Sequence, residues 1–232
     1  MNFSKKILSI TVCALLLVSL ALLAGCGGDK KETKKVLKVG MECGYAPYNW
    51  TQTTPDNGAV KIAGSSEYAN GYDVMIGKML AESMGATLEV HKIEWDGLAP
   101  AVASGKIDAA IAGMSITSKR KESVDFTVPY YYANVVGLVR KDSPQASAKS
   151  VADLKGAVAT SQLNTIWYDL IDQIPEVDKL PGIENVPGMI VALKSGKCNL
   201  IVTDIPTAMA ASYANKELAV LEFAPDKGFK TT

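Results

Sequence analysis

The stretch GLAPAVASGKIDAAIAGMS, Gly97–Ser115, returns in altered form as GMIVALKSGKCNLIVTDIP, Gly188–Pro206. In register, Gly97 pairs with Gly188, Ala101 with Ala192, Ser104 with Ser195, Gly105 with Gly196 and Lys106 with Lys197, and Gly113 falls on Asp204. Each copy reads as a helix, a Ser-Gly-Lys turn and an apolar strand. A duplicated unit of this kind predicts two similar α/β lobes, and two such lobes facing each other enclose a cleft for a small molecule.

Outward from the repeat, strand and helix alternate. Strands are expected at Val36 to Met41, Thr87 to Ile93 and Asp108 to Ala112, with a long polar loop up to Asn70. A helix is expected from Asp73, as its cap, to Met84, and another from Asp96 to Ser104. The scheme repeats through Tyr131 to Val139, Ala157 to Thr160, Thr165 to Ile174, Gly188 to Lys194 and Leu200 to Val202. Alternation of this sort predicts largely parallel sheets.

The chain opens with Lys5 and Lys6, the apolar run Ile7 to Cys26, and the polar stretch GGDKKETKK. This reads as an export signal over residues 1–25, ending in the lipobox Leu23-Ala24-Gly25-Cys26, with Cys26 as the lipidated residue. The alternative is an uncleaved membrane anchor. Residues 26–35 form a tether too polar to bury anything. Beyond the tether, the chain suits lobes at 36–131 and 132–232. Lys plus Arg and Asp plus Glu each number 24, for zero net charge. With no basic cluster interleaved with aromatics, nucleic acid is excluded as a partner.

Cys43 and Cys198 fall in different lobes and are expected as free thiols. No Cys or His spacing suggests a metal, no cofactor is expected, and His91, the only histidine, is placed on a strand face.

In open α/β sheets, ligands gather beyond the carboxyl ends of the strands. The candidates there are Glu42, Tyr45, Trp95, Gly113, Ser115, Arg120, Thr165 and Asp204. Such a set suits a zwitterion. Arg120 and Ser115, with N–H groups near Thr165, would hold a carboxylate, while Asp204 and the Gly113 carbonyl would accept from an ammonium. Trp95 and Tyr45 would flank the side chain, and Glu42 would pair with a cationic or amide-bearing one. Each also has an ordinary reading: Arg120 in a charged surface helix, Ser115, Thr165 and Asp204 as caps, Trp95 in the core, Tyr45 bracing a turn, Glu42 in solvent.

Glu42-Cys-Gly-Tyr-Ala-Pro-Tyr-Asn-Trp50, Gly71-Tyr-Asp-Val, Trp95-Asp-Gly-Leu, Ser104-Gly-Lys-Ile-Asp108, Ala112-Gly-Met-Ser-Ile-Thr-Ser-Lys-Arg120 and Val124-Asp-Phe-Thr-Val-Pro-Tyr-Tyr131 occur in one order. Together they resemble the polar amino-acid substrate-binding proteins of ATP-binding-cassette importers, solute-binding family 3. The resemblance implies a two-lobed type II periplasmic-binding-protein fold, α/β with mixed, mostly parallel sheets. It implies a free amino acid as ligand, and Glu42 with Trp95 and Tyr45 favours a cationic one such as arginine or lysine. Closure between hinged lobes, the first crossing near Tyr130 to Ala133, would present it to a membrane permease with a cytoplasmic ATPase. By the same resemblance the carboxylate falls to Arg120, Ser115 and the turn Gln162 to Thr165, and the ammonium to Gly113 and Asp204. The aromatics matching Tyr45 and Trp95 would enclose the side chain. A monomer, lipid-anchored outside the cytoplasm, is expected.

Two departures stand out. Asn164 replaces a usual glycine, which calls for a changed turn or a left-handed asparagine. The chain also stops at Thr232, where family members return to complete the first lobe; an exposed sheet edge and reduced stability are the expectation. Two rivals stay open: a carboxylate-using dehydratase of the same fold, and a ligand-sensing module.

Overall fold

The computed structural model describes residues 35–231. The leader, Cys26 and nearly all of the tether lie outside the described residues.

Strand β1 (Lys35–Met41) is flanked in parallel by β6 (Ala86–Lys92) and β7 (Ala109–Ala110), in the order β6-β1-β7. The second sheet repeats that order with β9 (Val158–Thr160) between β10 (Asp178–Lys179) and β11 (Leu200–Asp204). It continues through antiparallel β8 (Val135–Arg140) and β12 (Leu218–Leu221). In these two sheets four strand pairs are parallel and two antiparallel.

The repeat holds bond for bond. Helix α2 (Leu98–Ala103) ends at Gly105, φ 72°, and α5 (Val186–Lys194) at Gly196, φ 79°. The left-handed glycine lets the N–H of Lys106 reach the Ala101 carbonyl at 2.9 Å, and that of Lys197 reach Ala192 at 3.0 Å. Ile107 and Cys198 then enter the two cores. In each copy the helix is returned onto its sheet and the third strand begins.

The expected long polar loop before Asn70 is instead a third, antiparallel sheet. It comprises β2 (Gly44–Tyr45), β3 (Asn49–Gln52), β4 (Val60–Lys61) and β5 (Tyr68–Asn70), in the order β2-β3-β5-β4. Strands of two to four residues are too short to show an alternating pattern. Their register rests on a polar side chain: buried Asn49 accepts from the Cys43 N–H at 2.7 Å and donates to Asp73 at 2.7 Å.

Helix α1 (Tyr72–Ser83) begins one residue earlier than expected, and its cap position is Gly71 rather than Asp73. Asp73 is drawn inward, accepting from Asn49 and from the Tyr130 hydroxyl at 2.9 Å. Burial raises its pKa to about 6 against those two bonds. Tyr130 in turn accepts from the Gly113 N–H at 2.8 Å, so this buried carboxyl ties α1 to the turn after β7.

Three apolar clusters form the main cores. One lies under α1 around Met41, Val74 and Val90, and two lie on the faces of the second sheet, around Leu193 with Ile201 and around Leu154 with Ile171. Tyr45 and Tyr48 of the first lobe pack into the Leu193 cluster of the second. Residues 131–134, expected as the start of a strand, carry no regular structure and lead into β8. Both Cys43 and Cys198 are free and buried, and burial lifts their thiols to about 12 and about 11. On β6, His91 sits 2.7 Å from Glu89, partly exposed on the strand face expected for it. Among the described residues no helix is long and apolar enough to cross a membrane.

Candidate functional site

The site is assembled at the carboxyl ends of the parallel strands of the two main sheets. From the first lobe, Glu42 follows β1, Trp95 opens a 3-10 turn after β6, and Gly113 and Ser115 follow β7. Arg120 lies on the single-turn helix α3 (Ser118–Lys121), capped by Thr117, whose hydroxyl accepts the Arg120 N–H. From the second lobe, Thr165 caps α4 (Ile166–Leu170) after β9, and Asp204 caps α6 (Ile205–Ala214) after β11.

Six of the eight candidates meet. Tyr45, Trp95, Gly113, Ser115, Arg120 and Thr165 line one narrow cavity of about 10 Å³, together with Gln162 and Trp167. A space of that size holds one water-sized object. Glu42 and Asp204 do not line it directly; Gln162 and Tyr45 stand between.

Asp204 is fully buried and accepts four hydrogen bonds. The Tyr45 hydroxyl donates at 2.6 Å and that of Tyr48 at 3.3 Å, while the N–H and hydroxyl of Thr207 donate at 2.9 and 3.0 Å. Burial first, then the neighbouring Asp204 charge, pushes both tyrosines well above their ordinary pKa, so both stay protonated and keep a proton to donate to Asp204. Tyr45 stacks on Tyr48 with centroids 4.7 Å apart. A Cβ at Gly113 would come within 2.9 Å of the Tyr45 ring, so a side chain there would push the ring away.

Arg120 is clamped in a plane. Its Nη1 donates to the Ser115 carbonyl at 2.7 Å, its Nη2 to the Asn164 carbonyl at 2.8 Å, and its Cζ lies 5.2 Å from the centre of the Trp95 ring. Burial lowers its pKa, opposed by Asp169 and Asp96. Among the described residues, neither Arg120 nor Asp204 forms an ion pair. The cleft thus holds a half-buried cation and a buried anion, each hydrogen-bonded only to neutral groups.

Glu42 accepts from Gln162 Nε2 at 2.7 Å across the cleft, and its second oxygen is buried without a partner. Burial raises its pKa to about 7; the Gln162 bond opposes the rise, and Glu94, Asp73 and Glu184 add to it. The Thr165 hydroxyl is engaged with the Gln162 carbonyl at 2.7 Å, and Gln162 donates also to the Glu184 carbonyl. Asn164 is left-handed, with φ 53°, the second of the two outcomes expected for it.

Beside this space lies a larger cavity of about 250 Å³, walled by aromatic and apolar side chains such as Tyr48, Met114, Phe126, Tyr131 and Trp167. It shares Tyr45, Gly113, Ser115 and Trp167 with the smaller one. Tyr48 and Trp167 were not foreseen as site residues. The signal for Tyr48 was its place one turn beyond Tyr45; for Trp167 it was a large aromatic in the first turn of a helix that follows a sheet strand.

Residues 37–178 match the bacterial extracellular solute-binding proteins, family 3. This chain belongs to that family. A probable histidine-binding protein of Campylobacter jejuni is 30% identical over 200 residues, 86% of this chain and 72% of the relative. An amino-acid ABC transporter substrate-binding protein from Streptococcus pneumoniae, solved with L-arginine, superposes with a TM-score of 0.72. It is 25% identical, over 85% of this chain and 76% of the other. An ancestral arginine-binding protein, solved with glutamine, is 30% identical with a TM-score of 0.70, over 85% of this chain and 81% of that one. Family 3 comprises solute binders rather than enzymes, and this removes the dehydratase alternative.

Proposed function

We propose that the protein captures a free L-amino acid between its lobes and hands it to a membrane permease driven by a cytoplasmic ATPase, held at the membrane by a lipid on Cys26. The observation that carries the reading is the pair of unneutralised charges, Arg120 on one lobe and Asp204 on the other. A zwitterion satisfies both at once, whereas a ligand with one charge leaves the other group uncompensated. The relatives solved with arginine and glutamine support the ligand class. A 10 Å³ cavity admits no amino acid, so entry requires the lobes to part and Tyr45 to leave Asp204, a hinge motion.

Calorimetric titration of the protein with the common amino acids tests this. One or a few should bind, and absence of heat with all of them at concentrations up to the millimolar range overturns the reading.

The ligand leans to arginine or lysine because Glu42 keeps one buried carboxylate oxygen without a partner. With its pKa near 7, Glu42 is largely ionised at pH 8 and largely neutral at pH 6. Affinity for arginine and lysine is therefore expected to rise between those values. Glu42→Gln should remove the rise and weaken binding at pH 8 by about ten- to a hundredfold, the range of a charge-assisted bond. Unchanged affinity in the variant overturns the cationic assignment.

Stability has its own sign. The folded pKa of Glu42 lies above its ordinary value, so its contribution is full below about 4.5 and is lost as pH rises through about 7. Glu42→Gln should thus gain stability relative to the parent between pH 5 and pH 8, on the order of 2 kcal/mol, read from denaturant midpoints.

A further inference from the structure

Asn164, on the second lobe, bonds two separate elements of the first through different atoms of its own. Its side-chain Nδ2 donates to both carboxylate oxygens of Asp96 at 2.9 Å each. Its carbonyl accepts from Arg120 Nη2 at 2.8 Å. Asp96 belongs to the 3-10 turn Trp95–Gly97, and the Trp95 ring beside it carries the Arg120 guanidinium. Asp96, Asn164, Arg120 and Trp95 therefore form a closed circuit across the mouth of the cleft.

The residue type answers two demands at once. A φ of 53° suits glycine or asparagine and strains alanine. Glycine would meet that demand but could not reach Asp96, and aspartate would set two carboxylates against each other. The other cross-cleft side-chain bonds among the described residues, Tyr45 and Tyr48 to Asp204 and Glu42 to Gln162, are buried, whereas those of Asn164 are exposed. Exposed bonds exchange readily for bonds to water, which fits a contact that is made and broken as the lobes move.

We propose that Asn164 is a latch: it holds the lobes closed by pinning Asp96 and the carboxylate-binding Arg120, and so sets how fast a bound ligand escapes. The ligand part of this rests on the capture reading above; the closure part does not.

The test compares Asn164→Gly, Asp96→Ala, their double variant and Asp96→Asn in the full chain. Hydrogen exchange of residues 94–98 and 162–167 without amino acid reports opening, and the tryptophan fluorescence of Trp95 and Trp167 reports ligand release. Each of the first two variants should speed exchange in both segments, and ligand dissociation, by about three- to tenfold, as for one net hydrogen bond. The double variant should do no more than either, Asp96→Asn should stay close to the parent by keeping an acceptor, and melting temperature should stay unchanged. Unchanged exchange in both single variants, additive effects in the double, or faster exchange across the whole molecule with a lowered melting temperature would each overturn the latch. If no amino acid binds the parent, the capture reading fails, and the exchange measurements alone still decide the latch.

Discussion

Arg120→Ala is expected to lower affinity for the bound amino acid by two to three orders of magnitude while leaving the melting temperature of the free protein nearly unchanged. The guanidinium is held by the Ser115 and Asn164 carbonyls and by the Trp95 ring, and it has no carboxylate partner among the described residues. Its plane is set before a ligand arrives, so little side-chain entropy is lost on binding. Without it, a ligand carboxylate would be left in the cleft with no cation, at a cost of about 3 to 5 kcal/mol. Arg120→Lys should recover little, because a point charge cannot make two parallel bonds to a carboxylate. Calorimetry at one pH, beside melting curves without ligand, checks both halves. Binding within tenfold of the parent would remove Arg120 from the role of carboxylate anchor.

Gly71→Ala should have the largest effect on stability. Gly71 has φ 127° and ψ −179°, a region open essentially to glycine alone. A Cβ there would lie 2.2 Å from the Tyr48 carbonyl oxygen and 2.7 Å from its carbon. That carbonyl cannot withdraw freely, since it accepts from the Asp73 N–H at 2.8 Å, and the Pro47 carbonyl accepts from Tyr72 beside it. Strain and overlap together are expected to cost about 4 kcal/mol or more. The melting temperature should then fall by roughly 10 °C. The loss should also loosen amino-acid binding, because the same turn carries Tyr45 and Tyr48 to Asp204. A melting temperature within about 3 °C of the parent would show that the turn can relax after all.

Particular residues show why some of this could be read in advance and some could not. Ser104-Gly-Lys and Ser195-Gly-Lys end helices through bonds that span a few residues, and such turns are written in adjacent letters. The left-handed Asn164 was one of two outcomes left open by its place where the family usually has glycine. Asp73 had the sequence context of a cap, yet its carboxyl turns inward, because Asn49 and Tyr130 supply better donors from 24 and 57 positions away. The small antiparallel sheet escaped because its strands are too short to carry a period, and buried Asn49 reads like any loop asparagine.

The amino-acid sequence by itself determined the duplicated strand order, the glycine-ended helices and the residues that stand beyond the carboxyl ends of the strands. It also carried their chemical types, one arginine and two carboxylates among aromatics and hydroxyls, and hence a zwitterion as the fitting ligand. Only the tertiary structure decided which of these groups already hold one another. Tyr45 meets Asp204 across 159 positions and Glu42 meets Gln162 across 120. Local patterning reports which face a residue occupies on its own element. Whether two such faces meet depends on how the lobes pack, and that packing is an outcome of burial summed over the whole chain.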